Sequence, residues 1–216
     1  MRLYSYWRSS SAWRVRIGLQ VKGVPCEIVP IHLIRGGGEQ FRPAFLRVNP
    51  QAQVPVLEVE AEGPGGAPFH LTQSMAILAY LDERHPTPPL LPPDPVGRAR
   101  ARQLAEVVNA GIQPFQNLTL QNAIKEVGVD PRPLVKAFNE QGLAALETLA
   151  AASAGRYLVG DQLTLADLYL IPQLYGARRN GVDVEAYPTL RRVERVCEVL
   201  PAFQAAHPDA QPDRET

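Results

Sequence analysis

Residues 85–95 read HPTPPLLPPDP, and six of these eleven positions are proline. Proline fixes φ and lacks an N–H, so such a run is extended and semi-rigid and continues neither a helix nor a central strand. It therefore divides the chain. Ahead of it, RLYSYW (2–7), CEIVPIHL (26–33), VPVLEVE (54–60) and PFHL (68–71) carry the alternation and branched side chains of strands. AEGPGGAP (61–68) is a turn that makes the last two a hairpin with a long loop. QSMAILAYLDERHP (73–86) has helical spacing and stops at Pro86, and EQFRPAFLRVNP (39–50) holds a short helix ending at Asn49-Pro50. Behind the prolines, 96–126, 131–153, 164–179 and 188 to about 205 all read as helix, and the tail HPDAQPDRET (207–216) reads as frayed or draped over the surface. The expected organisation is a strand-containing domain over 1–85, a linker over 86–95 and an all-helical domain over 96–216.

One segment resists this reading. In SAWRVRIGLQV (11–21), Trp13, Val15, Ile17, Leu19 and Val21 alternate with Arg14, Arg16, Gly18 and Gln20, which is the period of a strand. Trp13, Ile17 and Val21 also share one helical face. If the strands at 2–7 and 26–33 are parallel, they need a crossover of about a dozen residues, usually a helix. A third strand joining them by hairpins remains the alternative. The crossover favours helix, with Ser9, Ser10 and Ser11 as candidate caps and Gly23 as the stop.

Composition narrows the function classes. Lys plus Arg and Asp plus Glu both number 22, so the formal charge is zero and the chain has no electrostatic footprint for nucleic acid or an anionic membrane. No apolar run approaches the roughly 18 residues of a membrane span, and MRLYSYWRSS lacks the apolar stretch of a signal peptide, so a cytoplasmic protein is expected. Cys26 and Cys197 are then reduced and structural. His32, His70, His85 and His207 show no metal-ligand spacing, so no metal is expected.

Four motifs have both a structural and a chemical reading. Ser9-Ser10-Ser11 can cap a helix, or present a hydroxyl donor to an anion at the positive helix end. Gln53-Val54-Pro55 is a strand-opening proline, or a cis bond turning the Val54 backbone to a ligand. Gln73-Ser74 is a helix start with Ser74 as cap, or a carboxylate cradle. Thr164 and Asp167 fit a capping box with Leu163 and Leu168 as the hydrophobic staple, and here the structural reading wins.

In combination, LYSYWRSSSAWRVRIGL, VKGVP, EQFRPAFLRVNPQAQVPVL, QSMAILAYLDERHPTPPLLPPDP, GIQPFQNL, LVGDQLTLADLYLIPQ and VDVEAYPTLRRV resemble, in order, a glutathione transferase of the zeta class. The resemblance implies an α/β thioredoxin-like N-terminal domain, an all-α C-terminal domain, a homodimer, and maleylacetoacetate isomerisation in tyrosine breakdown with glutathione as cofactor. It carries the glutathione site to Ser9, Ser10, Ser11, Gln40, Val54, Gln73 and Ser74, with Gln113 and Asn117 from the helical half. Ser9 and Ser10 become the catalytic candidates, and Arg14 and Arg179 the candidates for substrate carboxylates. The same chemistry extends to glutathione transfer onto α-haloacids. Two departures stand out: the family's usual Ser-Ser-Cys is Ser-Ser-Ser here, as in maleylpyruvate isomerases, and the 60–69 loop is long. A non-catalytic interaction module of the same fold is the alternative of another class, which the retained site residues disfavour.

Overall fold

A computed structural model describes residues 1–60 and 67–215, so most of the long hairpin loop lies outside the described residues. The chain forms two compact units, Met1–Pro88 with Pro201–Thr216, and Pro89–Leu200. The sequence reading ran the helical half to Thr216; by contacts, the last segment belongs with the strands.

In the first unit, strands β1 (Arg2–Ser5), β2 (Glu27–Pro30), β3 (Val56–Val59) and β4 (Phe69–Thr72) form one sheet in the order β2-β1-β3-β4. β1 and β2 are parallel, with Leu3 opposite Ile28; β1–β3 and β3–β4 are antiparallel, with Leu3 opposite Leu57 and Val56 opposite Thr72. The parallel pair is joined by helix α1 (Ser10–Lys22), and Gly23 ends it in the left-handed conformation at φ 62°, which costs glycine little. Helices α2 (Pro43–Leu46) and α3 (Ser74–Arg84) complete the αβ part, and α9 (Pro201–Ala206) packs on α1.

The strand-like alternation of residues 11–21 has a physical cause. Nearly all of α1 is buried, including Arg14, Arg16 and Lys22, so the helix has no solvent-facing stripe to write into the sequence. Its cations are held inside by oxygens. Lys22 Nζ donates to Asp82 Oδ1 at 2.5 Å and to the carbonyls of His85 and Pro88 at 2.7 and 2.5 Å, tying the end of α1 to α3 and the proline run. Leu3, Ile17, Leu57, Ile77, Leu78 and Leu81 form the apolar interior around it.

The second unit contains α4 (Pro95–Gly111), α5 (Leu118–Glu126), α6 (Arg132–Ala151), α7 (Leu165–Arg179) and α8 (Pro188–Glu198). Two helices expected as continuous are broken. The 96–126 helix gives way to a short 3-10 helix at Gln113–Gln116, where Pro114 has no N–H to donate. The 188–205 helix stops at Glu198 because Pro201 bars the residue before it from continuing. α6 approaches its neighbour closely at Gly142, where a Cβ would lie 2.3 Å from Ile112.

Asp167 is wholly buried, and its carboxylate accepts from Thr164 N at 2.8 Å, Thr164 Oγ1 at 3.0 Å and Leu158 N at 2.9 Å. It therefore caps α7 and also pins the segment before it. Burial pushes its pKa up to about 6 against these donors. A folded-state pKa above the unfolded value means that folding takes up a proton, so this contribution to stability is complete below about pH 4 and is lost as pH rises through about 6. Asp167→Asn removes the titration. Chemical denaturation is expected to show the wild-type advantage over this variant shrinking by up to about 3 kcal/mol from pH 4 to pH 7; a constant difference would contradict it.

Candidate active site

Ser9 is the N-cap of α1, with extended backbone at φ −70° and ψ 118°, and its Oγ accepts from Ala12 N at 3.2 Å. A hydroxyl has one donor and two acceptor lone pairs, so this cap leaves the O–H available. Ser10 and Ser11 open the helix, and their N–H groups have no acceptor within it. The turn thus offers a hydroxyl donor beside backbone donors at the positive end of a helix dipole, which suits an anionic atom. Arg14, expected at a substrate carboxylate, folds back on this turn. It is 1% exposed and donates to Ser11 Oγ at 3.1 Å and to the Ser10 carbonyl at 3.5 Å.

A second helix start comes from the hairpin. Because Val56 faces Thr72, Gln73 emerges from β4 level with the entrance to β3, where Val54-Pro55 is a cis bond. Ser74, expected as a cap, is instead the first residue of α3, and Gln73 is its N-cap. Gln73 has φ 68° and ψ 114°, which a side chain with a Cβ adopts only at a cost of about 1–3 kcal/mol. Its Nε2 donates to Gln51 Oε1 at 2.8 Å. Asn49, read from sequence only as a helix end, organises this loop: its Nδ2 donates to the Gln53 carbonyl at 2.7 Å and its Oδ1 accepts from Gln51 N at 3.0 Å. The sequence reading ran the short helix to Asn49-Pro50, but it ends at Leu46, and Asn49 belongs to the loop that it bonds. Tyr6, Trp7, Ala12, Phe45, Val54 and Val56 share one apolar cluster, which brings the serine turn and the Val54 segment together.

Gln40 is buried, donates from Nε2 to the Leu33 carbonyl at 3.1 Å, and lies against Gly38, where an added Cβ would come 2.6 Å from that side chain and displace its amide. In the helical unit, Gln113 begins the 3-10 break and Asn117 caps α5, accepting from Thr119 N at 2.8 Å. The break is held by a residue not singled out from sequence. Gln116 Nε2 donates to Asn139 Oδ1 at 3.2 Å and to Gln173 Oε1 at 3.1 Å, and Gln173 Nε2 donates to the same Asn139 oxygen at 2.6 Å. Arg179 ends α7 and is exposed, and its neighbour Arg178 is paired with buried Glu194 at 2.6 Å. Both cysteines are free, and burial raises Cys26 to about 11 and Cys197 further, so neither is a ready nucleophile.

Glycine at position 73 would relieve the positive φ but delete the side chain that meets Gln51. Gln73→Gly is expected to leave the melting temperature unchanged or higher in thermal denaturation, because relief of the strain offsets the lost exposed hydrogen bond to Gln51. A clearly lower melting temperature would contradict the strain assignment.

Residues 3–89 match the family described as Glutathione S-transferase, N-terminal domain, and residues 133–208 match Glutathione S-transferase, C-terminal domain. Maleylacetoacetate isomerase of Pseudomonas aeruginosa is 45% identical over 99% of this chain and 98% of its own, and that of Rattus norvegicus is 44% identical over 98% and 94%. The crystal structure of maleylacetoacetate isomerase from Anaeromyxobacter dehalogenans with bound glutathione superposes with a TM-score of 0.89 at 55% identity, covering 99% of this chain and 97% of that one. A maleylpyruvate isomerase, described as a bacterial zeta-class glutathione transferase, superposes with a TM-score of 0.91 at 42% identity over the whole of both chains. By both family matches and by full-length likeness to these proteins, this chain belongs to the zeta class of the glutathione transferase family, among the maleylacetoacetate isomerases.

Proposed function

We propose that the protein is a glutathione-dependent cis–trans isomerase converting maleylacetoacetate to fumarylacetoacetate, working as a cytoplasmic homodimer. The observation that carries this reading is the start of α1, where Ser9 keeps a donor free after capping Ala12. The donor set fits glutathione: a hydroxyl and helix N–H groups for its sulfur at α1, and the helix start at Gln73-Ser74 for a carboxylate.

Rotation about a C=C bond is prohibitive until the bond loses its double character, and bound glutathione supplies a thiolate able to add to the activated alkene and leave again. The chain's task is to keep that sulfur deprotonated and in place. Ser9 does so by hydrogen bonding, and the α1 dipole favours the negative charge. Ser10 is the second donor at the same turn, and Arg14 holds the turn rigid through Ser11 and the Ser10 carbonyl. Arg179 is assigned to a substrate carboxylate, which a guanidinium meets with two parallel N–H donors. Ser11 favours a second reading within the same chemistry, maleylpyruvate as substrate, since the family's usual cysteine is absent here.

Ser9→Ala removes the proposed sulfur donor and is expected to lower turnover of maleylacetoacetate about a hundredfold, with Ser10→Ala lowering it less. If both variants keep full turnover at saturating glutathione, the serine assignment fails. Wild-type kinetics on maleylacetoacetate and maleylpyruvate side by side decide between the two substrates.

A further inference from the structure

The loop Tyr6–Arg8 between β1 and Ser9 lies outside strand and helix, so no regular ladder sets where the Ser9 hydroxyl points. Two side chains from elsewhere hold its backbone instead. Arg16, 3% exposed, donates from Nη2 to the Trp7 carbonyl at 2.8 Å and from Nη1 to the Tyr6 carbonyl at 3.3 Å and Ser5 Oγ at 2.9 Å. Its Nε donates to the Ala206 carbonyl at 3.2 Å, at the end of α9. Trp7 N donates to Asp213 Oδ2 at 2.9 Å, across 206 positions of sequence. The tail is itself fastened beyond this point, because Glu215 Oε1 meets His32 Nε2 at 2.9 Å and Arg35 Nη2 at 2.7 Å.

We infer that Arg16 and Asp213 form a clamp through which the C-terminal segment positions Ser9 for the reaction. They are positioning residues and touch neither glutathione nor substrate in this account. The inference rests on the reading of Ser9 as sulfur donor. Its physical ground is that a loop left unheld spreads over many backbone conformations, and a displacement of about 1 Å at a reacting group costs on the order of a hundredfold in rate. Burial lowers the pKa of Arg16, and the negative charge of Asp213 works against that shift by favouring the charged guanidinium. Removing Asp213 takes away the attachment at Trp7 N and leaves the one that Arg16 makes at the Tyr6 and Trp7 carbonyls.

The test compares Asp213→Ala, Asp213→Asn and Ser9→Ala in the full chain with glutathione and maleylacetoacetate, reading the pH profile of kcat/KM and the melting temperature. Asp213→Ala is expected to lower kcat/KM about tenfold and to move the basic rise of the profile upward by about half a pH unit, as a sulfur less well served by Ser9 holds its proton longer. Asp213→Asn still accepts from Trp7 N and is expected to recover activity to within about threefold of wild type. A purely structural role would lower the melting temperature and leave the profile in place, which overturns the clamp. If Ser9→Ala shifts the profile and Asp213→Ala does not, the clamp fails and the serine reading stands. If Ser9→Ala leaves the profile unmoved, the serine reading fails and the clamp with it. Should Asp213→Ala not fold, Asp213→Glu, which carries the acceptor one methylene further out, must show the same profile shift, and an unshifted profile overturns the inference.

Discussion

An α-helix begins with N–H groups that find no acceptor inside it, and in α1 those of Ser10 and Ser11 follow directly on a serine that already caps Ala12. Capping and chemistry do not compete there. The Ser9 oxygen accepts from the backbone, and the hydrogen of the same hydroxyl is left to donate outward. In the proposed function, the stability of the helix start and its affinity for an anion come from one arrangement. The rest of the N-terminal unit can be understood as what keeps that start in position: β1 leads into it, α1 crosses to β2 behind it, and the Val54 segment packs beside it through Ala12 and Trp7.

That role explains why α1 carries buried cations. Burying a guanidinium is costly unless its donors are satisfied, and replacing such a network by apolar groups often costs nothing in stability. What oxygen-bound cations contribute here is direction. Arg14 binds the serine turn to itself, Arg16 binds the loop before it, and Lys22 binds the far end of the helix to α3 and the proline run. An apolar side chain in any of these places would fill the space without choosing an orientation for the backbone.

Much of the fold was legible because its signals are local. The Gly23 stop and the Thr164–Asp167 box are each decided within a few residues, and each is found where the sequence put it. The helix at α1 was legible only through the crossover requirement, since a helix buried all round leaves no amphipathic period. The breaks at Pro114 and Pro201 were in plain view but were outweighed by helical spacing on either side. The candidate site residues come from the sequence through family resemblance, not through a local pattern. The positive φ of Gln73, the loop bonds of Asn49 and the reach of Asp213 to Trp7 depend on contacts far apart in sequence, and no local pattern encodes them.

The central claim is that the start of α1 stabilises a thiolate on bound glutathione. It is tested most directly by following the ultraviolet absorbance of the thiolate in the complex with the wild-type protein as pH is raised. A free thiol of this kind titrates near about 8.5, and the account predicts a bound thiol at least about one unit lower. A bound thiol titrating at the free value would contradict it.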